Sequence, residues 1–258
     1  MDLGLNDRVV VISGASRGIG LAIARVFVTE GALVAVTARG SAALEEARTA
    51  LARISGPERV IAITADMTRP DAIASTCRAV VDAWGRIDIT VANIGSGTGK
   101  LLLEASAAEW QQSLERNLLG SVELSRAVVP YMQLERSGAL LFISSIVGVE
   151  AVSAPLPYVA AKSALQAVAK NLARAVAADG IRVNVLSPGN VLFPVGMWAR
   201  KVENAPDSVR GYIEREVPMK RFGTVEEIAE VAVFMCSARA GFMTRATVVV
   251  DGGQTRTY

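Results

Sequence analysis

Seven short runs of nearly unbroken apolar, largely β-branched residues punctuate this chain, and a stretch of helical periodicity separates each from the next. They fall at residues 8–13 (RVVVIS), 33–38 (LVAVTA), 59–64 (RVIAIT), 87–92 (IDITVA), 139–144 (ALLFIS), 181–187 (IRVNVLS) and 246–251 (ATVVVD). A strand covered on one face alternates apolar with polar side chains, whereas a strand covered on both faces is apolar throughout. The runs therefore predict strands of a parallel sheet with helices on both sides. The β–α–β rhythm predicts right-handed crossovers in a single doubly wound α/β (Rossmann) sheet of about seven strands. With 258 residues, 51% of them apolar, the chain can build such a sheet as one domain over 1–258.

Helix starts are marked by hydroxyl side chains followed three residues later by an acid: Thr68 with Asp71, Ser106 with Glu109 and Thr224 with Glu227. Residues 189–217 break the rhythm, because they interpose a long connection between the sixth strand and the next helix. Long connections at the C-terminal end of a sheet strand are commonly lids or binding loops, so this segment is expected to be a substrate lid.

Charge and composition exclude several classes of function. The net charge of +2 with well-mixed signs gives no basic face for nucleic acid or a membrane surface. There is no histidine, and the two cysteines, Cys77 and Cys236, lie far apart, so neither a metal site nor a disulfide framework is expected. The most apolar long stretch, residues 138–161, contains Glu150, Pro155 and Pro157 and does not read as a membrane span. The N-terminal residues carry two acids and no basic segment before the first strand, which is unlike a signal peptide, and a cytoplasmic location is expected.

The first strand runs into SGASRGIG, which places Gly14, Gly18 and Gly20 between a strand and a helix. Three glycines there serve three needs: a tight turn, close approach of backbone to a pyrophosphate, and close packing of helix on strand. The helix N-terminus then faces the phosphates. A carboxylate at the end of the second strand would bind free ribose hydroxyls, whereas a cation would accept a 2′-phosphate. Here the strand ends in ARG with no acid, and Arg39 and Arg17 are the available cations, so NADP(H) is favoured over NAD(H).

Further motifs follow in order: ADM at 65–67, ANIG at 92–95, ERNLLG at 115–120, ISSIVG at 143–148, YVAAK at 158–162, SPG at 187–189 and VDGG at 250–253. Together with the glycine turn, this set resembles the short-chain dehydrogenase/reductase family essentially end to end, in particular its 3-oxoacyl-carrier-protein reductase-like members. The resemblance implies a catalytic set of Asn117, Ser145, Tyr158 and Lys162. Ser145 is chosen over Ser144 because the family's serine lies thirteen residues before the tyrosine, and Ser144 is left as a backbone-capping hydroxyl. It also implies coenzyme contacts from Gly14, Ser16, Arg17, Gly18, Ile19, Gly20, Arg39, Asp66, Met67, Asn93, Gly95, Tyr158, Lys162, Pro188, Gly189 and Val191. By resemblance, Tyr158 is the proton donor or acceptor, Ser145 holds the substrate oxygen, Lys162 holds the nicotinamide ribose and Asn117 anchors a water chain. Spacing adds a physical reason: Tyr158 and Lys162 lie one helical turn apart, and an ammonium so placed would lower the tyrosine pKa.

Four positions depart from the family pattern. Ala92 and Ile94 alter the usual NNAG. Phe193 stands where the family often has a threonine that contacts the coenzyme, and a phenyl ring cannot donate that hydrogen bond. Arg245 replaces a common glycine and is a candidate subunit contact. The lid and the opposing segment 95–104 predict a mainly apolar pocket, with Leu192, Phe193, Pro194, Val195, Met197, Trp198 and Tyr212 as lid candidates. Arg200, Lys201, Arg210 and Lys100 are candidates to ring its entrance. The helix from Tyr158 is alanine-rich on more than one face, which predicts a homo-oligomer, a tetramer or dimer, covering its outer side.

The resulting expectation is an NADP(H)-dependent oxidoreductase for a small-molecule carbonyl or secondary alcohol, including a 3-oxoacyl group. One alternative is an NAD-dependent dehydrogenase of a sugar, polyol or other secondary alcohol. An alternative of another class is a non-catalytic, cofactor-binding regulatory protein.

Overall fold

A computed structural model describes residues 2–257, so Met1 and Tyr258 of the expected domain lie outside the described residues, as does the side chain of Leu102. Seven strands form one sheet: β1 (Val9–Ser13), β2 (Leu33–Ala38), β3 (Val60–Thr64), β4 (Ile89–Ala92), β5 (Gly138–Ile143), β6 (Ile181–Pro188) and β7 (Thr247–Val250). Their order is β3-β2-β1-β4-β5-β6-β7 and every pairing is parallel. Each predicted strand is present, with ends shifted by at most two residues.

Nine α-helices occur among the described residues: α1 (Gly18–Thr29), α2 (Ser41–Ser55), α3 (Pro70–Trp84), α4 (Ala107–Leu114), α5 (Gly120–Glu135), α6 (Leu156–Val176), α7 (Met197–Asn204), α8 (Pro206–Glu216) and α9 (Val225–Cys236). Strand residues sort alternately to two cores. Val10, Ile12, Val34 and Val36 pack with Ile23 and Phe27 of α1, Leu44 of α2 and Val233 of α9. Val9, Val11 and Ala35 pack on the other face with Cys77 of α3, Leu124 of α5 and Leu165 of α6. Two-sided burial is the physical reason the strands read as unbroken apolar runs.

Local signals explain most helix starts. Ser106 with Glu109 and Thr224 with Glu227 form complete capping boxes at α4 and α9. Thr68 does not cap α3. Its hydroxyl and amide both bond to Asp66, and the helix starts at Pro70 with Arg69 as its N-cap. At the far end of α9, Arg182 of β6 donates to the carbonyls of Met235, Cys236, Ser237 and Met243, which satisfies acceptors a helix end leaves open. Helix α6 buries one stripe, including Ala161, Leu165, Ala169 and Ala173, while Ser163, Lys170, Asn171 and Arg174 are exposed on the other side. The outer side of α6 is thus open to solvent in a single chain.

The sheet's order reverses between β1 and β4, and the strand ends there are stitched by Asn93. Its amide N–H bonds to the Ser13 hydroxyl, and its Nδ2 donates to the carbonyls of Ser13 and Gly14 at 3.2 and 3.1 Å. Gly20 packs into the same junction. A Cβ there would lie 2.5 Å from both Asn93 Nδ2 and the Gly14 carbonyl oxygen. By contrast, Gly211 lies within α8 with nothing near its missing Cβ. Gly20→Ala should lower the unfolding free energy by about 1–3 kcal/mol, whereas Gly211→Ala should raise it by up to about 1 kcal/mol. Urea denaturation of the two variants against the parent checks the contrast.

Candidate active site

All the residues implicated by the sequence follow the C-terminal ends of the strands, along one edge of the sheet, where an α/β fold binds its ligands. A cleft of about 630 Å³ opens there. It extends from Arg17, Arg39 and Asp66 past Gly14, Ser16, Gly18, Ile19, Met67 and Asn93 to Gly95, Tyr158 and Lys162. A second cavity of about 420 Å³ lies at the opposite edge, near Arg8, Asp88 and Arg182, away from these groups.

The catalytic candidates are brought together from three elements. Lys162, one turn beyond Tyr158 in α6, is 3% exposed, and its ammonium donates to the Ile143 carbonyl at 2.8 Å. The Ser144 hydroxyl donates to the Lys162 carbonyl, which fulfils the expected capping role of that serine. Ser145 accepts from the Val147 amide, and its hydroxyl draws the Tyr158 phenol pKa downward. Asn117 lies in a π-helical turn, Glu115–Leu119, between α4 and α5. That widened turn, invisible in the sequence, aims its buried amide inward: Oδ1 accepts from the Ser96 amide at 2.8 Å, and Nδ2 donates to the Ser113 carbonyl. Gly95 bridges the set, since a Cβ on it would meet Asn117 Oδ1 at 2.8 Å and Lys162 Nζ at 3.2 Å.

Burial sets the protonation of this group. It lowers the Lys162 pKa from 10.5 to about 8. It also pushes the Tyr158 phenol up, against the opposing pull of the Ser145 hydrogen bond. The sequence expectation that Lys162 lowers Tyr158 is therefore reversed within the chain itself: loss of solvent outweighs the pull of Ser145, and Lys162 is not among the causes of the shift. At the other end of the cleft, burial raises Asp66, but hydrogen bonds from the Thr68 hydroxyl and amide, with the charges of Arg39 and Arg69, leave its pKa lowered overall.

Not every expected contact lies on the cleft. Gly20 is buried behind it at the Asn93 junction. Pro188, Gly189 and Val191 follow the edge but do not line it. Gly189 packs against Asp251, and Val191 is buried in a bridge with Gly223. Thr68 and Arg116 line the cleft without having been singled out as contacts. The lid segment folds into α7 and α8 around an aromatic cluster of its own. Trp198 stacks on Tyr212 at 5.4 Å and meets Phe222 at 5.3 Å. Of the expected apolar lid residues, Phe193, Val195 and Met197 face the cleft; Leu192, Trp198 and Tyr212 do not. The expected ring of entrance cations also dissolves. Lys100 pairs with Glu109, Arg210 with Asp207, and Lys201 lies over the Trp198 ring, which leaves Arg200 on the cleft wall.

A lysine whose pKa falls on folding contributes stability at pH above its unfolded value of 10.5, and that stability is lost as the pH falls through about 8. The displacement corresponds to about 3 kcal/mol. Tyr158, shifted upward, works in the opposite sense only above its ordinary value near 10. The unfolding free energy of the parent, measured against Lys162→Met, should therefore gain on the order of 2 kcal/mol between pH 7.5 and 10. A flat difference would show that the ammonium is not desolvated.

The arrangement has relatives throughout its length. A family described as enoyl-(acyl carrier protein) reductase matches residues 14–255. The 3-oxoacyl-[acyl-carrier-protein] reductase of Thermotoga maritima is 31% identical over 250 residues, covering 96% of this chain and 98% of that one. The corresponding reductase of Staphylococcus epidermidis is 33% identical over 247 residues, with the same coverage. Among solved structures, L-sorbose reductase from Gluconobacter frateurii, complexed with NADPH and L-sorbose, superposes with a TM-score of 0.93 at 34% identity over the whole of both chains. A 7α-hydroxysteroid dehydrogenase complexed with NADH and a 7-oxo bile acid superposes with a TM-score of 0.90 at 26% identity, over 99% of this chain and 97% of that one. With the glycine turn, the buried lysine and Tyr158 in one cleft, the chain belongs to the short-chain dehydrogenase/reductase family and is an NAD(P)-dependent oxidoreductase acting on a carbonyl or an alcohol.

Proposed function

We propose that this enzyme is an NADP(H)-dependent reductase of small, hydroxylated ketones, working reversibly on the matching secondary alcohols, within a single Rossmann domain whose segment 189–217 closes over the substrate. The observation that carries the reading is the shared cleft: Tyr158 and the Lys162 ammonium lie at one end, and Arg17 and Arg39 lie at the other. The residues fit a dinucleotide at both ends. Asp66 is held ionised beside Arg39, and both arginines are exposed with no acid at the end of β2 to oppose a 2′-phosphate.

A bound nicotinamide supplies or accepts the hydride and, when oxidised, adds positive charge near the tyrosine. Tyr158 donates its phenolic proton to the carbonyl oxygen in reduction and takes it back in oxidation. Ser145, through its hydroxyl, holds that oxygen against the phenol. Lys162 is charged below about pH 8 and binds ribose hydroxyls from the cleft wall. Asn117 fixes the loop at Ser96 and connects the site to Ser113. With these four groups in place, a vestigial, non-catalytic role has nothing to recommend it.

The polar wall supports the substrate class. Ser96 and Thr98 share a 2.8 Å hydroxyl hydrogen bond and line the cleft, and a Cβ on Gly97 between them would lie 3.3 Å from the Tyr158 ring. Small hydroxylated ketones match those hydroxyls. Trp198, Tyr212 and Phe222, which could wall an acyl chain, pack against one another in the lid's own core. A 3-oxoacyl substrate is the second reading, supported by the names of the 31–33% identical relatives.

Tyr158→Phe should reduce kcat by on the order of 10²–10⁴-fold while coenzyme still binds. NADPH oxidation with an α-hydroxyketone, followed at 25 °C for parent and variant, measures this; near-normal turnover would refute the role. Arg39→Ala should weaken NADPH by about tenfold or more while leaving NADH little changed. Equal losses for both coenzymes would remove the 2′-phosphate from the reading. Faster turnover of 3-oxoacyl thioesters than of hydroxyketones would favour the second substrate class.

A further inference from the structure

We propose that Phe193 is a displaceable gate on the phosphate-binding turn, hinged on the strained residue Val195; the proposal rests on the dinucleotide reading of the cleft. Gly18 has φ +57° and presents its bare Cα beside Phe193. A Cβ on that glycine would lie 2.8, 2.9 and 3.1 Å from Cε2, Cζ and Cδ2 of Phe193. The ring therefore lies against the glycine whose missing side chain gives backbone access to a diphosphate. Ring and phosphate oxygens cannot share that space, and a phenyl ring has no donor with which to hold them.

The segment carrying the ring is built to pivot. On one side, Val191 is buried in its bridge with Gly223, and the Leu192 amide bonds to the Gly223 carbonyl. On the other side, α7 begins at Met197 and is tied to the aromatic cluster through Trp198. Between these fixed points lie four residues, Phe193–Gly196, closed by a bond from the Gly196 amide to the Phe193 carbonyl at 3.1 Å. Val195 sits in that turn at φ +55°, a left-handed conformation that a β-branched residue rarely adopts. It is 60% exposed, so packing does not impose the strain; a single bond from Arg200 Nη2 to the Val195 carbonyl, at 3.3 Å, braces it. Strained backbone of this kind at a ligand site marks a two-position element. Seating the ring on Gly18 keeps Phe193 partly buried at the edge of the core. Lifting it releases Val195 and uncovers the turn.

The test is coenzyme binding to the intact enzyme, measured at equilibrium and by stopped-flow with NADPH and with NADH. Phe193→Ala should lower Kd for both coenzymes by roughly three- to tenfold, through faster association. In the parent, the observed binding rate should level off at high coenzyme because ring displacement becomes limiting; in Phe193→Ala it should rise linearly. Val195→Gly removes the strain of the covered turn and should slow association. If the parent binds coenzyme but Phe193→Ala binds it more weakly or no faster, the ring is a clamp and the gate is overturned. If neither parent nor variants bind either coenzyme, the dinucleotide reading fails and the gate with it.

Discussion

A buried ammonium holds the active edge of this fold together. Lys162 reaches from α6 to the last carbonyl of β5, while Ser144, one residue beyond that carbonyl, bonds back to the Lys162 carbonyl. These two bonds fix the helix to the strand end in one register. They place Tyr158, one turn earlier, beside Ser145. The lock also dictates its neighbours' size: a Cβ on Gly148 would stand 2.7 Å from the Lys162 carbonyl oxygen, and one on Gly95 would stand 3.2 Å from Nζ. Glycine at 148 is required by the backbone of α6, and glycine at 95 by Asn117 with the lysine beside it. The ammonium gives up water for this placement, and its lowered pKa records the cost.

The same constraint explains why the polypeptide departs from regular helix at Asn117. An uninterrupted α4–α5 helix would wind Asn117 away from the loop after β4. The π-turn instead adds backbone between the two helices and lets the amide reach the Ser96 N–H. Gly120 then begins α5 against the Met67 carbonyl, which a Cβ would approach to 2.8 Å. Met67 at the cleft and Asn117 in the π-turn are thus parts of one packed junction.

What the sequence revealed and what it hid divide along physical lines. Unbroken apolar runs, glycine spacing and capping boxes report local needs, so the seven strands, the Gly14–Gly20 turn and the α4 and α9 starts were legible. Arg245 illustrates the strength of that signal. It occupies a position where glycine is common, and its φ is +64°. What stayed hidden depended on tertiary partners. Thr68 read as a cap because its spacing to Asp71 is right, but Asp66 is the nearer acceptor. Trp198 and Tyr212 read as pocket walls because they are large and apolar, but they satisfy each other. At the end of β6, Gly189 packs against Asp251 and Val191 bridges Gly223, contacts set by tertiary partners rather than by the motif.

On the proposed mechanism, tyrosine as the proton carrier in a chain without histidine requires the resting and working protonation states to differ. Enclosure moves Tyr158 and Lys162 in opposite directions on the pH scale, and both movements favour the neutral form. Left alone, such a pair resists ionising, which suits a phenol that must keep its proton until a carbonyl oxygen is there to receive it. Donation leaves a phenolate one helical turn from an ammonium, so the charge disfavoured by burial appears only where an opposite charge is already fixed. In that state Coulombic attraction acts with little solvent to weaken it. The enclosure that raises the tyrosine pKa before reaction is then what makes Lys162 effective during it.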